Sequence, residues 1–393
     1  MITIAQAIKI VEHNSIPTKS FECIPISKAI GTVLYKDVIS PIDLPPFRQS
    51  AMDGYAVSVH RSNSYKIIDE VKAGDGHQPK LKEGEAIRIF TGAAVPSTAN
   101  AVIMQEKVEV AGEIATILTT IAANENIRPK GEQISKGEIA LTEGTLMTPS
   151  AIGFLASLGI SEVDVYKKPS IAIVVTGNEL VKPGENLRHG QIYESNSIML
   201  TAALNNLGYH NVTNFKVGDD YNQTTAVLEK AISNYDMTII SGGISVGDYD
   251  FVGKALQELE VTQLFYKVKQ KPGKPLFFGK RDEKMIFALP GNPAAALSCF
   301  YIYIYSSLQR ISGDVAFSIA KTKAISETDF TRRGDRPQFL KAIYREGNVK
   351  ILEGQSSAML HTFALSNALL YVPETMNSIK KYDEVDVILL PIN

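Results

Sequence analysis

The sequence predicts a multidomain protein of α/β plus β architecture. Three textures predict it. Between residues 170 and 316, short apolar strands alternate with amphipathic helices, the pattern of a mostly parallel sheet covered on both faces. From Phe21 to about Pro149 the chain reads as short strands broken by Gly, Pro and Asn. From Ser318 onward strands return as a small all-β unit. The 393 residues suffice for two to four domains at roughly 100–200 residues each.

The elements follow in order. Ile4, Ala7, Ile8 and Val11 fall at helical spacing, and the helix ends near Pro17. Its charges at Lys9 and Glu12 set it apart from a signal peptide. Strands are expected at Val57–Val59, Glu85–Phe90, Ala101–Met104 and Glu113–Leu118. Thr148 as N-cap, Pro149 at the first helical position and Gly159 as the stop bracket a helix. Ser170–Val175 is an apolar strand, Asn196–Leu207 a helix, His210–Val217 a strand and Gln223–Ser233 a helix. Met237–Ile240 is a strand, Val252–Leu259 a helix, Leu264–Val268 and Met285–Leu289 strands, and Ala294–Ser307 a helix. The last unit contributes Phe339–Tyr344, Val349–Leu352, Leu369–Val372 and Glu384–Leu390 as strands.

Composition is that of an ordinary globular protein, 45% hydrophobic and 21% charged. A formal net charge of −2 gives no general pull toward nucleic acid or membrane, so any anion site must be a local cluster. The two cysteines, Cys23 and Cys299, are far apart in apolar surroundings, which predicts buried thiols in a reducing, cytoplasmic setting. No apolar run approaches the roughly 18 residues of a membrane span.

The segment Ile239–Asp250, IISGGISVGDYD, carries the most chemistry. A strand end runs into a loop with almost no side-chain bulk, where backbone N–H groups can approach a phosphate. Asp248 and Asp250 follow at once. Carboxylates beside phosphate make sense with a divalent cation between them. Ligands of open α/β sheets bind beyond the carboxyl ends of the strands. Thr176-Gly-Asn-Glu179 and Leu289-Pro-Gly-Asn-Pro293 end strands of the same domain. The second is equally well a tight turn into a helix with Pro293 at its first position.

Glu179, Asp219, Asp220 and Asp250 are the candidate metal acids. The competing reading for Asp219-Asp220 is a helix cap; beside the Gly-rich loop, a metal role for one of the pair is favoured. Lys267, Lys271 and Lys274 crowd into KVKQKPGKP, where Pro and Gly fix the backbone and suit the ammoniums to an oxyanion. Asp53-Gly54 reads first as a turn, and Arg88–Pro96 as a strand running into a turn. There is no GxxxxGK[ST] loop, no GxGxxG after the first α/β strand and no HExxH. His189 and His361 stand alone as surface or hydrogen-bonded core residues.

Taken together, SAMDGYAV (50–57), RIFTGAAVP (88–96), TGNEL (176–180), SGGISVGDYDF (241–251), KPGKP (271–275) and LPGNP (289–293) resemble the MoeA-type molybdopterin molybdenumtransferases. These are related to the E domain of gephyrin. The resemblance covers nearly the whole chain. It implies insertion of molybdenum from molybdate into adenylylated molybdopterin, with Mg2+-dependent release of AMP. It implies a homodimer in which the second subunit contributes loops to the cleft, and other cofactor-pathway proteins, such as a molybdopterin adenylyltransferase, as partners. It implies a discontinuous N-terminal linker and dimerisation domain over 1–50 and 141–169. An inserted β-rich domain over 51–140, an α/β molybdopterin-binding domain over 170–316 and a β-barrel over 317–393 complete it.

Residue by residue, the resemblance makes Glu179, Asp219 and Asp250 the metal carboxylates. It makes Thr176, Gly242, Gly243, Ser245, Asp248, Pro290, Asn292 and Pro293 the cofactor wall. Lys271, Lys274, Arg336 and Ser357 become molybdate ligands, with Lys267 beside them, and Asp53 and Thr91 reach the cleft across the dimer. Two positions depart from the pattern. Gln133 stands where relatives often carry an acid, and Ala295 where many carry a hydroxyl. Two other classes stay open: a gephyrin-like scaffold that binds a partner without turnover, and the preceding adenylyltransferase step. Tungstate in place of molybdate also stays open.

Overall fold

A computed structural model describes residues 1–244 and 251–392. The chain separates into two compact units, residues 23–165 and residues 1–22 with 166–393.

The first unit is built around a six-stranded sheet in the order Ala101–Met104, Gly54–Val57, Glu85–Ile89, Ser64–Val71, Ile114–Ile117 and Val108–Ala111. Alternation along these strands fills two cores. Ala56, Ile87 and Val102 pack on one face, and Val57, Ala86 and Ile103 on the other. Gly54 is not the hairpin turn that Asp-Gly suggests. It opens a strand paired on both sides, and a Cβ there would lie 1.9 Å from the Ile103 carbonyl oxygen. The glycine permits close strand approach, a need that pairwise turn statistics do not register. The helix Pro149–Ser157 forms as expected, with the Thr148 hydroxyl accepting from the Ala151 amide. It packs on Leu34, Val163 and Val165. Cys23 is exposed, against the expectation of a buried thiol. Its strand, Phe21–Pro25, leaves every residue but Ile24 in solvent, so apolar sequence neighbours did not make an apolar environment.

The second unit holds the predicted α/β domain. Its sheet runs Val212–Val217, Ile171–Thr176, Met237–Ser241, Lys284–Leu289, Phe277–Arg281 and Thr262–Tyr266. The first four strands are parallel and the Phe277–Arg281 strand is antiparallel to both neighbours. That strand was not expected. Its LFFG run follows Pro272 and Pro275 and pairs through a bulged hairpin rather than a helix crossover. In the Ile171–Thr176 strand, Ile171, Ile173 and Val175 enter one core while Ala172 and Val174 enter the other. Both faces are therefore covered, which explains the unbroken apolar run.

Helix Ile4–Asn14 opens on a capping box between Thr3 and Gln6. Its Ile4, Ala7 and Val11 join the α/β core. The last helix of the α/β domain is longer than expected, running from Pro293 to Ile311 with a π-helical stretch at Phe300–Ile304. The C-terminal strands close a barrel in the order Lys321–Ser326, Asn348–Ile351, Gln338–Arg345, Ala368–Val372 and Glu384–Leu389. Phe339, Leu369 and Ile388 of the barrel share the α/β core. Among the described residues, no helix is long and apolar enough to cross a membrane.

Candidate active site at the carboxyl edge of the parallel sheet

The four parallel strands end level with one another. Thr176 pairs with Val217, Val175 with Ser241, and Ser241 with Leu289. Four loops therefore leave the sheet at one edge, starting at Gly177, Gly218, Gly242 and Pro290. The Thr262–Tyr266 strand runs in the same direction, so KPGKP starts from this edge too.

The Gly242–Gly243 turn is packed against Thr176. Both glycines have positive φ, 95° and 64°. A Cβ on Gly242 would sit 2.8 Å from the Thr176 carbonyl oxygen. One on Gly243 would sit 2.8 Å from Thr176 Oγ1 and 2.6 Å from a Val252 methyl. No side chain fits at either position, so the backbone itself lines the site. Asn196, which the sequence reading passed over as a helix start, ties the edge together. Its Nδ2 donates to Ser241 Oγ at 2.8 Å and to the Gly291 carbonyl at 2.7 Å. Two buried polar atoms here, Thr176 Oγ1 and Asn196 Oδ1, have no hydrogen-bond partner among the described residues. Buried polar atoms without partners are costly, and a ligand that supplies hydrogen bonds relieves the cost. Ser245, Asp248 and Asp250 lie outside the described residues.

The acids divide by role. Asp220 caps the helix Tyr221–Asn234, accepting from the Gln223 amide at 2.7 Å. Asp219 does not cap; its Oδ2 accepts from the Asn178 amide at 3.2 Å, and its own amide donates to Asn178 Oδ1. This reciprocal pair joins the loops after two adjacent strands. Glu179 folds back over Gly177, where a Cβ would meet its carboxylate oxygens at 2.6 and 2.8 Å. The Glu179 carboxylate has no hydrogen bond or ion pair among the described residues. No three His, Cys, Asp or Glu side chains among the described residues group to hold a metal, and the third expected acid, Asp250, lies outside them. The donor chemistry nevertheless fits Mg2+, which takes one or two carboxylates and completes its shell with phosphate oxygens and water.

The lysine segment is pinned to the barrel. The Lys271 amide donates to the Pro337 carbonyl, and the Phe339 amide donates to the Lys271 carbonyl. Arg336 Nη1 donates to the Gln270 carbonyl at 3.1 Å. Gln270 is fully buried; its Nε2 donates to the Gly273 carbonyl and its Oε1 accepts from the Tyr303 hydroxyl. A Cβ on Gly273 would lie 2.4 Å from Cys299 Sγ. Lys271 and Lys274 are exposed on this rigid frame, while the Lys267 ammonium lies over the Tyr266 ring. Ser357 arrives from the barrel. Its Oγ accepts from Asn292 Nδ2 at 2.9 Å and its carbonyl from the Ala295 amide at 3.2 Å. Pro290 is buried, and Pro293 opens its helix. The structure thus joins Arg336 to the lysine segment and Ser357 to LPGNP. Gln270 was legible only as a polar residue inside KVKQKPGKP, and Asn196 only as a helix start.

In the first unit, Asp53 and Thr91 meet. Asp53 Oδ1 accepts from the Thr91 amide and hydroxyl, both at 2.7 Å. The Thr91 amide, then its hydroxyl, hold the Asp53 carboxyl below the usual carboxylate range. Gln133 is exposed and donates its amide to the Leu44 carbonyl, while Ala295 is buried.

Comparison with known proteins agrees along the chain. Residues 2–159 match the MoeA N-terminal region (domain I and II), residues 172–310 a probable molybdopterin binding domain, and residues 323–390 the MoeA C-terminal region (domain IV). A molybdopterin molybdenumtransferase of Staphylococcus epidermidis is 31% identical over all of this chain and 96% of its own length.

The chain belongs to the MoeA family.

A Haemophilus influenzae molybdopterin molybdenumtransferase is also 31% identical, over 98% of each chain. The crystal structure of a molybdopterin biosynthesis MoeA protein from Pyrococcus horikoshii superposes with a TM-score of 0.84 at 30% identity, covering 99% of this chain and 100% of that one. Within this MoeA-family chain, the three matched regions correspond to the β-rich first unit, the α/β sheet that carries the edge loops, and the barrel that carries Arg336 and Ser357.

Proposed function

We propose that this transferase of molybdenum cofactor biosynthesis inserts molybdenum into adenylylated molybdopterin and releases AMP. The observation that carries the reading is the glycine-lined edge at Gly242 and Gly243, where Thr176 Oγ1 and Asn196 Oδ1 have no hydrogen-bond partner among the described residues. A phosphorylated ligand supplies hydrogen-bonding groups there, and only glycine leaves it room.

Each group then has a task. The Gly242–Gly243 backbone and Thr176 bind the pyrophosphate side of the cofactor. Asn196 holds the two flanking loops in place. Glu179 and Asp219 would hold Mg2+, which when bound neutralises charge on the phosphoanhydride oxygens. Lys271, Lys274 and Arg336 present cations to molybdate, a dianion that charge-assisted bonds orient well. The Ser357 hydroxyl adds a short polar contact beside them. In a homodimer, Asp53 and Thr91 belong to the cleft of the other copy.

The test is direct. The purified protein, given adenylylated molybdopterin, molybdate and Mg2+, releases AMP only when all three are present. Absence of AMP under these conditions overturns the reading. ATP consumption with non-adenylylated molybdopterin would assign the preceding step instead.

A further inference from the structure

Lys341 is a charged residue the chemistry above does not use. It lies in the barrel strand Gln338–Arg345 and is 4% exposed. It forms no ion pair among the described residues. Its ammonium instead donates to three backbone carbonyls: Gly354 at 2.8 Å, Met359 at 3.0 Å and Ser356 at 3.1 Å. An ammonium has three N–H bonds, and here each has an acceptor. All three acceptors lie in one loop and bracket Ser357.

The strand backbone grips the same loop. The Lys341 amide donates to Gln355 Oε1, and Gln355 Nε2 donates to the carbonyls of Lys341 and Leu352. Gly354 has a φ of 77°, and a Cβ there would lie 2.6 Å from Thr362 Oγ1. The loop therefore folds tightly around the lysine head. From it, Ser357 reaches Asn292 Nδ2 with its hydroxyl and the Ala295 amide with its carbonyl.

A buried ammonium without a carboxylate partner among the described residues is an expensive choice for a packing role. Burial pushes its pKa down to about 8. An apolar side chain would fill the same space without that cost, but it could not gather three carbonyls. We propose that Lys341 is a positioning residue for anion binding: its ammonium folds the 354–359 loop so that Ser357 is held against Asn292 at the LPGNP turn. The inference rests on the reading of Ser357 as a molybdate contact. It adds a residue that never touches the anion.

Three full-length variants test it: Lys341→Met, Ser357→Ala and the double variant. Lys341→Met raises amide hydrogen exchange at residues 355–359 about tenfold and leaves the Glu384–Leu389 strand unchanged, because three acceptors lose their donor. It raises the molybdate KM about tenfold with kcat within about twofold, the mark of lost binding rather than lost chemistry. The double variant is no worse for molybdate than Ser357→Ala, because both act through one group. Unchanged exchange in the loop, or KM effects that multiply, overturns the proposal. Loosened exchange with a normal molybdate KM in Ser357→Ala supports the clasp and overturns the anion role of Ser357. Should Lys341→Met fail to fold, Lys341→Gln keeps two N–H donors and is read by the same outcomes.

Discussion

Asp53 and Glu179 are both carboxylates set in short loops beside a glycine, yet their surroundings differ in kind. Asp53 accepts both the amide and the hydroxyl of Thr91, so its charge is already answered by the fold. Glu179 lies over Gly177 with no partner among the described residues, and Thr176 Oγ1 and Asn196 Oδ1 on the same sheet edge are equally bare. A satisfied acid holds a turn together. A set of unsatisfied groups on one edge is shaped for something that arrives later. The first unit therefore has its polar chemistry closed at this corner, and the α/β edge has it open.

The sharpest way to break that comparison is at Glu179. Glu179→Gln keeps the shape and removes the charge. It lowers Mg2+-dependent AMP release by about 100-fold or more, the scale of losing a charge that steadies a transition state. The thermal midpoint shifts by no more than about 2 °C, because no hydrogen bond or ion pair with the described residues is lost. AMP release close to wild type, measured at saturating substrates, would show that the open acid is idle.

Thr176 gives a subtler test. Thr176→Val replaces a buried hydroxyl that has no partner among the described residues with a methyl group of similar size. Removing such a group costs the fold nothing and raises stability by about 1 kcal/mol, since an unmet hydrogen-bonding group is no longer buried. Affinity for adenylylated molybdopterin falls about tenfold, as for loss of one hydrogen bond to a charged group. Stability and binding move in opposite directions. Denaturant unfolding beside a binding titration reads both, and a fall in stability would mean that the hydroxyl is bonded within the fold.

Much of this edge was legible because its demands fall on single residues. Gly242 and Gly243 show as glycines in the sequence for the reason the structure gives: a Cβ would strike Thr176. The α/β alternation revealed the sheet because both faces of Ile171–Thr176 are buried. Three features escaped because they depend on pairing between distant segments. Gly54 looked like a turn, but its need is the Ile103 carbonyl across the sheet. The Phe277–Arg281 strand was hidden behind KPGKP, since a hairpin at a sheet edge needs no alternation with helices. Lys341 drew no notice within the expected strand Phe339–Tyr344, and its three bonds to the returning 354–359 loop show only in the fold. Of the Asp219-Asp220 pair, Asp220 caps a helix and Asp219 joins two loops, a division that the sequence left undecided.

The closed corner makes the smallest prediction. The Thr91 amide and hydroxyl lower the Asp53 pKa in the folded state. A group whose folded pKa is depressed adds stability that is present in full above its unfolded pKa and is lost as pH falls through the folded value. Asp53 therefore supports the 23–165 unit at neutral pH and stops doing so in acid, below the usual carboxylate range. Asp53→Asn retains an acceptor for both Thr91 bonds but carries no charge. Its thermal midpoint lies slightly below that of the native chain at about pH 7, and the gap closes as pH falls below the usual carboxylate range and the native carboxyl takes up its proton. The effect is confined to a degree or two because the corner is solvent-exposed and screened. A gap that persists unchanged in acid would place the stabilising contribution in shape rather than charge. The corner would then be closed by hydrogen bonding alone, and its contrast with the open charge of Glu179 would be sharper still.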